Sequence, residues 1–187
     1  MSRADQILDI AQELIQTRGY NGFSFQDISK RLGIKKASVQ FYYPKKADLG
    51  QKVVHRYSTA FQELTDGLDA NPDLDAHGRL NAYLKPFYQV SQERDLVCLC
   101  GVLGGEFVSL PAEVQAEVAG FFKQNEVWLA GLLEWGRERD QFHFKMDAMG
   151  LAKTFFGALQ GALIISRGHE DRAHFDQVSQ VIRELLQ

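Results

Sequence analysis

The sequence predicts an all-α fold of about nine helices, and three observations carry that reading. Apolar residues recur at three- and four-residue spacing along nearly the whole chain, beginning with Ile7, Ile10, Ala11, Leu14 and Ile15. No segment shows the sustained alternation of a strand. Gly19, Gly33, Pro44, the run Asn71-Pro72-Asp73, Pro111 and the stretch 140–145 punctuate the chain at intervals suited to helices. With 187 residues, 45% hydrophobic and 24% charged, the chain can bury a sizeable core and has no compositional mark of disorder.

The first helix ends at Gly19, and residues 20–23 lead into a second. Ser24 is a good N-cap for it, and Asp27 three residues on completes a variant capping box with an acid at the positive helix end. Phe25, Ile28 and Leu32 then share one face. Gly33 supplies the left-handed residue that a tight stop needs, and Ile34 can tuck inward. A third helix starts at Lys35 or Lys36. In it Val39 and Tyr43, four apart, face the preceding helix, which turns Lys36, Ala37, Gln40 and Phe41 outward. Pro44 ends it, so residues 1–46 read as a three-helix head and 47–187 as a helical body.

The fourth helix carries Leu49, Val53, Tyr57, Phe61, Leu64 and Leu68 and runs to about residue 70. A fifth resumes near Asp75 with Leu80, Tyr83, Leu84, Phe87, Tyr88 and Val90; Pro86 removes one of its internal hydrogen bonds, and Arg94 and Asp95 close it. Residues 96–110 are almost uncharged and hold Gly101, Gly104 and Gly105, which predicts a buried helix closely approached by neighbours. Pro111 opens a long amphipathic helix to about residue 139, with Val114, Val118, Phe121, Phe122, Val127, Trp128, Leu132 and Trp135 inward. Asp147 caps the next, which passes Leu151, Phe155, Ala158, Ala162 and Ile165; Gly157 and Gly161, one turn apart, leave a smooth strip. The last helix, about 171–186, carries Phe175, Val178, Val181, Ile182, Leu185 and Leu186. The amino terminus goes straight into an amphipathic pattern with no signal peptide, and the longest apolar tract, 155–165, contains Gln160 and is too short to span a bilayer, so a cytoplasmic location is expected.

Charge is distributed unevenly. Residues 1–50 carry eight Lys/Arg against five Asp/Glu, the remainder thirteen against nineteen, so only the head is suited to a polyanion. Between Ile28 and Lys46 stand Lys30, Arg31, Lys35, Lys36, Lys45 and Lys46 with no acid, a phosphate-facing footprint. The outward set Lys36, Ala37, Gln40 and Phe41 combines a cation, a small residue, an amide and an aromatic, the types that read base edges and thymine methyls in a major groove. The competing reading is a helical module that acts through protein partners. Catalytic patterns fail: His169-Glu170 with His174 misses zinc-protease spacing, the glycines at 101, 104 and 105 lack the Lys-Ser or Lys-Thr of a phosphate loop, and the other histidines have no companions at metal spacing. No enzyme, metal or cofactor is expected. Cys98 and Cys100, one residue apart, suit no ordinary disulfide.

The run GIKKASVQFYYPKKADL over residues 33–49, with Gly19, Ser24 and Ile28 before it, resembles the recognition-helix signature of the TetR/AcrR family of bacterial transcriptional regulators. GALQGALIISR over 157–167 is similar to the family's penultimate helix. The resemblance implies a ligand-responsive repressor, a homodimer on a palindromic double-stranded DNA operator, with a helix-turn-helix DNA-binding domain followed by a ligand-binding and dimerisation domain. It places Ser24, Ser38, Tyr42 and Lys46 at phosphate-contacting positions, and Lys36, Ala37, Gln40 and Phe41 at base-facing ones, with Lys35 in the same basic footprint. Gln40 departs from the tyrosine common there, which favours a bidentate adenine contact over a phosphate contact. A dimer bundle from the last two helices would use Gly157, Gly161, Ile165, Phe175, Val178 and Ile182. An unidentified small-molecule effector would occupy a cavity lined by Tyr83, Phe87, Cys98, Phe107, Phe122, Trp128 and Phe155. The tract Cys98-Leu-Cys100 also resembles one in electrophile-sensing members, which raises a thiol-sensing variant through Cys98 or Cys100.

Overall fold

The computed structural model describes residues 2–93, 95–171 and 173–187. Among these it forms nine α-helices and no strand: α1 (Arg3–Arg18), α2 (Phe25–Leu32), α3 (Lys36–Tyr42), α4 (Lys46–Ala70), α5 (Ala76–Gln92), α6 (Leu99–Gly105), a 3-10 turn (Phe107–Ser109), α7 (Ala112–Arg137), α8 (Ala148–His169) and α9 (Ala173–Glu184). Helix ends follow local chemistry. Ser2 and Asp5 exchange backbone and side-chain hydrogen bonds at the start of α1. Asp75 and Asp147 each accept from a backbone N–H three residues on, Gly78 and Gly150, and so start α5 and α8. Arg94, expected to close α5 with Asp95, lies outside the described residues.

Three expectations are corrected. The helix predicted over 96–110 is shorter: α6 stops at Gly105, and open space surrounds the place a Cβ would take there, so no neighbour presses on it. Val127 is 52% exposed, because the inward row of α7 passes through Val118, Phe121, Asn125, Leu129 and Leu132 and skips it. The helix that holds the 155–165 tract is 22 residues long and is, by length and composition, apolar enough to cross a membrane. In this structure one face of it is buried, with Phe155, Phe156, Leu159, Ala162 and Leu163 in the core of the second unit.

The chain packs as two compact units, which differ from the boundary expected after residue 46. One joins residues up to 59 with 99–121, so α6 and the start of α7 belong with the head. Its core includes Ile7, Leu14, Ile15, Ile28, Val39, Leu49, Val53, Leu99, Leu103, Val114 and Val118, each fully buried. The other joins 60–98 with 122–187 and is built on rings. Tyr83 stacks on Trp128 at 4.8 Å between centroids, Phe87 meets Phe61 and Phe156 edge-on, and Phe122 meets Phe156. The Tyr83 hydroxyl donates to Asn125 Oδ1, and burial pushes its phenol well above the ordinary range.

Candidate nucleic-acid interface

The interface begins with the cap of α2. The Ser24 N–H and hydroxyl both donate to Asp27 Oδ2, at 2.8 and 2.7 Å, and those two bonds hold the Asp27 carboxyl below its usual range. Gly33, at φ 64°, closes α2, with its N–H on the Lys30 and Ser29 carbonyls, and Ile34 N–H returns to Ser29 O. The turn sets α3 across α2. Val39 is fully buried and fixes the rotation of α3 about its axis.

With Val39 inward, Lys36, Ala37, Ser38, Gln40, Phe41 and Tyr42 are all exposed, as is Lys35 at the N-cap. Phe41 is 81% exposed, which no packing requirement explains, and its ring meets Tyr42 edge-on at 5.4 Å. Tyr43 is corrected: it sits past the end of α3 with extended backbone (φ −135°, ψ 91°), because the proline that follows it disfavours helical geometry at that position. It is half-buried there, and desolvation raises its phenol.

The six cations do not form one uniform footprint. Arg31 is paired with Glu13 of α1 at 2.7 Å. Lys46 is half-buried; its ammonium donates to the Phe23 carbonyl and lies over the rings of Phe23 and Tyr20, at 4.3 and 4.7 Å. Burial lowers its pKa, partly opposed by Glu106 and Asp27. Lys30, Lys35, Lys36 and Lys45 remain exposed. Ser24 is similarly committed, since its hydroxyl proton faces Asp27 and only its lone pairs are left to offer.

Sequence reading missed what holds the linker between α1 and α2. Glu106 accepts from the backbone and side chain of Asn21, 85 residues away, and a Cβ on Gly19 (φ 80°) would overlap its carboxylate. Tyr20 packs against Gly50, where a Cβ would come within 2.7 Å of its ring. In the sequence Gly19 and Gly50 show only as glycines, which names a partner for neither.

The other expected sites are redistributed. Tyr83, Phe87, Cys98 and Phe155 are buried and Phe122 and Trp128 half-buried in the second unit, where the rings pack on one another; Phe107 belongs to the first unit. Cys98 and Cys100 are not disulfide-bonded and are 1% and 0% exposed. On α8 and α9, Gly157 and Gly161 have open space at the Cβ position, and Ile165 is 43% exposed. Phe175 and Ile182, in contrast, turn into the unit's own core, and Val178 is half-buried; the exposed apolar side chains are Ile164, Ile165, Val181 and Leu185. Among the described residues no cluster of three His, Cys, Asp or Glu could hold a metal ion.

A capped helix, a left-handed glycine turn and a short helix with an exposed polar and aromatic face make a helix-turn-helix, the motif of a class of DNA-binding proteins. The family follows. The model described as bacterial regulatory proteins, tetR family, matches residues 7–53, and the tetracyclin repressor-like C-terminal domain matches 76–182. The chain belongs to the TetR family of transcriptional regulators, which are not enzymes. It is 25% identical over 154 residues to the transcriptional regulator AcuR of Cereibacter sphaeroides, a span of 81% of this chain and 70% of that protein. It is 38% identical over 69 residues to IcaR of Staphylococcus epidermidis, named a negative transcriptional regulator of a biofilm operon, covering 37% of this chain and 36% of that one. A TetR-family regulator from Agrobacterium tumefaciens has the same fold, with a TM-score of 0.92, 32% identity and coverage of 98% and 96% of the two chains.

Proposed function

We propose that the protein is a homodimeric repressor that places α3 of each subunit in the major groove of a palindromic operator and leaves it when a small molecule binds the second unit. The observation that carries the reading is the outer face of α3, where Val39 alone is buried and Lys36, Ala37, Gln40 and Phe41 stand exposed together. Gln40 and Lys36 read base edges, Ala37 and Phe41 contact apolar edges, and Lys35, Ser38 and Tyr42 meet phosphates. Lys46 and Ser24 act at one remove, by fixing the linker and the start of α2. Dimerisation is supported by the open glycine strip of α8 beside exposed Ile164, Ile165, Val181 and Leu185. Repression follows the stated role of IcaR, and the match to a tetracyclin repressor-like domain supports a small-molecule effector. A cytoplasmic location is consistent with operator binding. Burial of both cysteines weighs against thiol sensing.

The test is selection of bound fragments from random duplex DNA, followed by affinity measurement at several salt concentrations. A palindromic winner, bound by two chains with a steep fall of affinity as salt rises, supports the reading. Absence of duplex binding at low salt rejects it.

A further inference from the structure

Most buried polar groups in a folded protein have a hydrogen-bond partner. In the second unit the Ser166 hydroxyl has none. Ser166 lies near the end of α8 and is 6% exposed. A helical serine ordinarily donates to the carbonyl four residues back, here Ala162; this one does not. Its side chain lines a partly open cavity of about 110 Å³ together with Ser91, Glu93, Leu96, Leu163, Arg167 and Glu170.

The chemistry of the lining selects the occupant. Leu163 and Ser91 are buried and Leu96 half-buried, whereas Glu93, Arg167 and Glu170 are exposed at the mouth. The Ser91 hydroxyl is already engaged, donating to the Tyr88 carbonyl at 2.7 Å and accepting from the Gln92 amide at 3.3 Å. The interior therefore offers apolar wall and one uncommitted hydroxyl, and a charge placed inside would lose its hydration without a buried counter-ion. The volume suits about five or six non-hydrogen atoms, the space of roughly four liquid waters.

We infer that this cavity is a binding site for a short-chain neutral molecule, an alcohol or primary amide, whose polar end pairs with Ser166 Oγ while its alkyl part lies on Leu96 and Leu163. The inference gives the effector a place and a chemical class, and rests on the ligand-responsive reading only for its effect on DNA. That effect has a covalent route: three residues past Leu96 the chain enters α6, which packs in the same compact unit as the head.

The experiment titrates isotope-labelled full-length protein with 1-butanol and propanamide, and with butyrate and butylamine as charged counterparts, while amide NMR shifts are followed. Expected are saturable shifts at Ser91, Leu163 and Ser166 with millimolar affinity for the neutral pair, about tenfold weaker in Ser166→Ala and weaker still for the charged pair. Ser166→Ala removes a hydroxyl that has no partner, so it keeps the fold and its melting temperature holds or rises. Shifts that never saturate, binding unchanged in Ser166→Ala, or a soaked crystal with only ordered water in the cavity overturns the site. Operator release is scored separately. Release without saturable shifts around Ser166 overturns this site and keeps the ligand-responsive reading. Saturable shifts lost in Ser166→Ala support the site whether or not the operator is released, and their absence from operator affinity counts against the ligand-responsive reading alone.

Discussion

In the head, Lys46 gives its ammonium to the Phe23 carbonyl, Arg31 pairs with Glu13, and Ser24 is held by Asp27. In the second unit the Ser166 hydroxyl and the Gln160 amide are buried with no hydrogen-bond partner. The contrast separates two ways of recognising something. The head fixes its scaffold with internal polar contacts and leaves a preorganised outer face on α3, so binding DNA costs little reordering. The second unit keeps polar capacity inside, where a small neutral molecule can satisfy the Ser166 hydroxyl. A basic residue in sequence is thus of two kinds here: Lys36 faces outward as a contact, while Lys46 faces inward as a strut.

The largest effect that could break this contrast comes from Val39→Asp. An unpaired carboxylate at a fully buried position releases α3 from α2, and the expected result is loss of operator binding together with a fall of more than about 4 kcal/mol in the stability of the head, read by denaturant unfolding. Lys46→Met tests the strut. Its stem is kept but its charged hydrogen bond is lost, so stability drops by about 1–3 kcal/mol and affinity falls equally on every sequence. Lys36→Ala, a solvent-facing change, leaves the melting temperature in place and weakens DNA binding alone. Unchanged stability in Lys46→Met would return Lys46 to the phosphate-contacting role that the resemblance implies.

Gln40→Ala is finer. It is expected to leave folding and overall affinity for random DNA unaltered while discrimination at one base pair falls by about 1–3 kcal/mol, measured by competition between single-base operator variants. The smallest effect concerns acid. The carboxyl of Asp27 titrates below its unfolded value, so the Ser24–Asp27 box supports the head at neutral pH, and that support fades as pH falls through the depressed folded pKa. Asp27→Asn should remove this part of the acid sensitivity, visible in the pH dependence of melting; an unaltered profile would show that the box contributes nothing.

Much of the head was legible because its signals are local. Ser24 with Asp27, the left-handed Gly33 and the Val39 anchor each act within a few residues, and each is found where spacing put it. Tyr43 was misplaced because four-residue spacing was read through the effect of Pro44 on the residue before it. The clasp of Glu106 on Asn21 was out of reach, since nothing in either segment announces a partner 85 residues away. In the body the difficulty is one of direction. Apolar periodicity puts Phe175, Val181, Ile182 and Leu185 on one stripe of α9 and the turn after it, yet two of these face the core and two face outward, and a stripe wide enough for both carries no label for which is which. The cavity at Ser166 left no trace in sequence, because a serine in a helix ordinarily satisfies itself.

The central claim is that the outer face of α3 reads bases while Lys46 serves from behind. Parallel selection from random duplex DNA with the wild-type protein, Gln40→Ala and Lys46→Met tests it most directly. The account predicts one palindromic consensus for wild type, the same consensus at lower enrichment for Lys46→Met, and a consensus relaxed at a single symmetric pair of positions for Gln40→Ala. An identical consensus and equal loss of enrichment in both variants would contradict it.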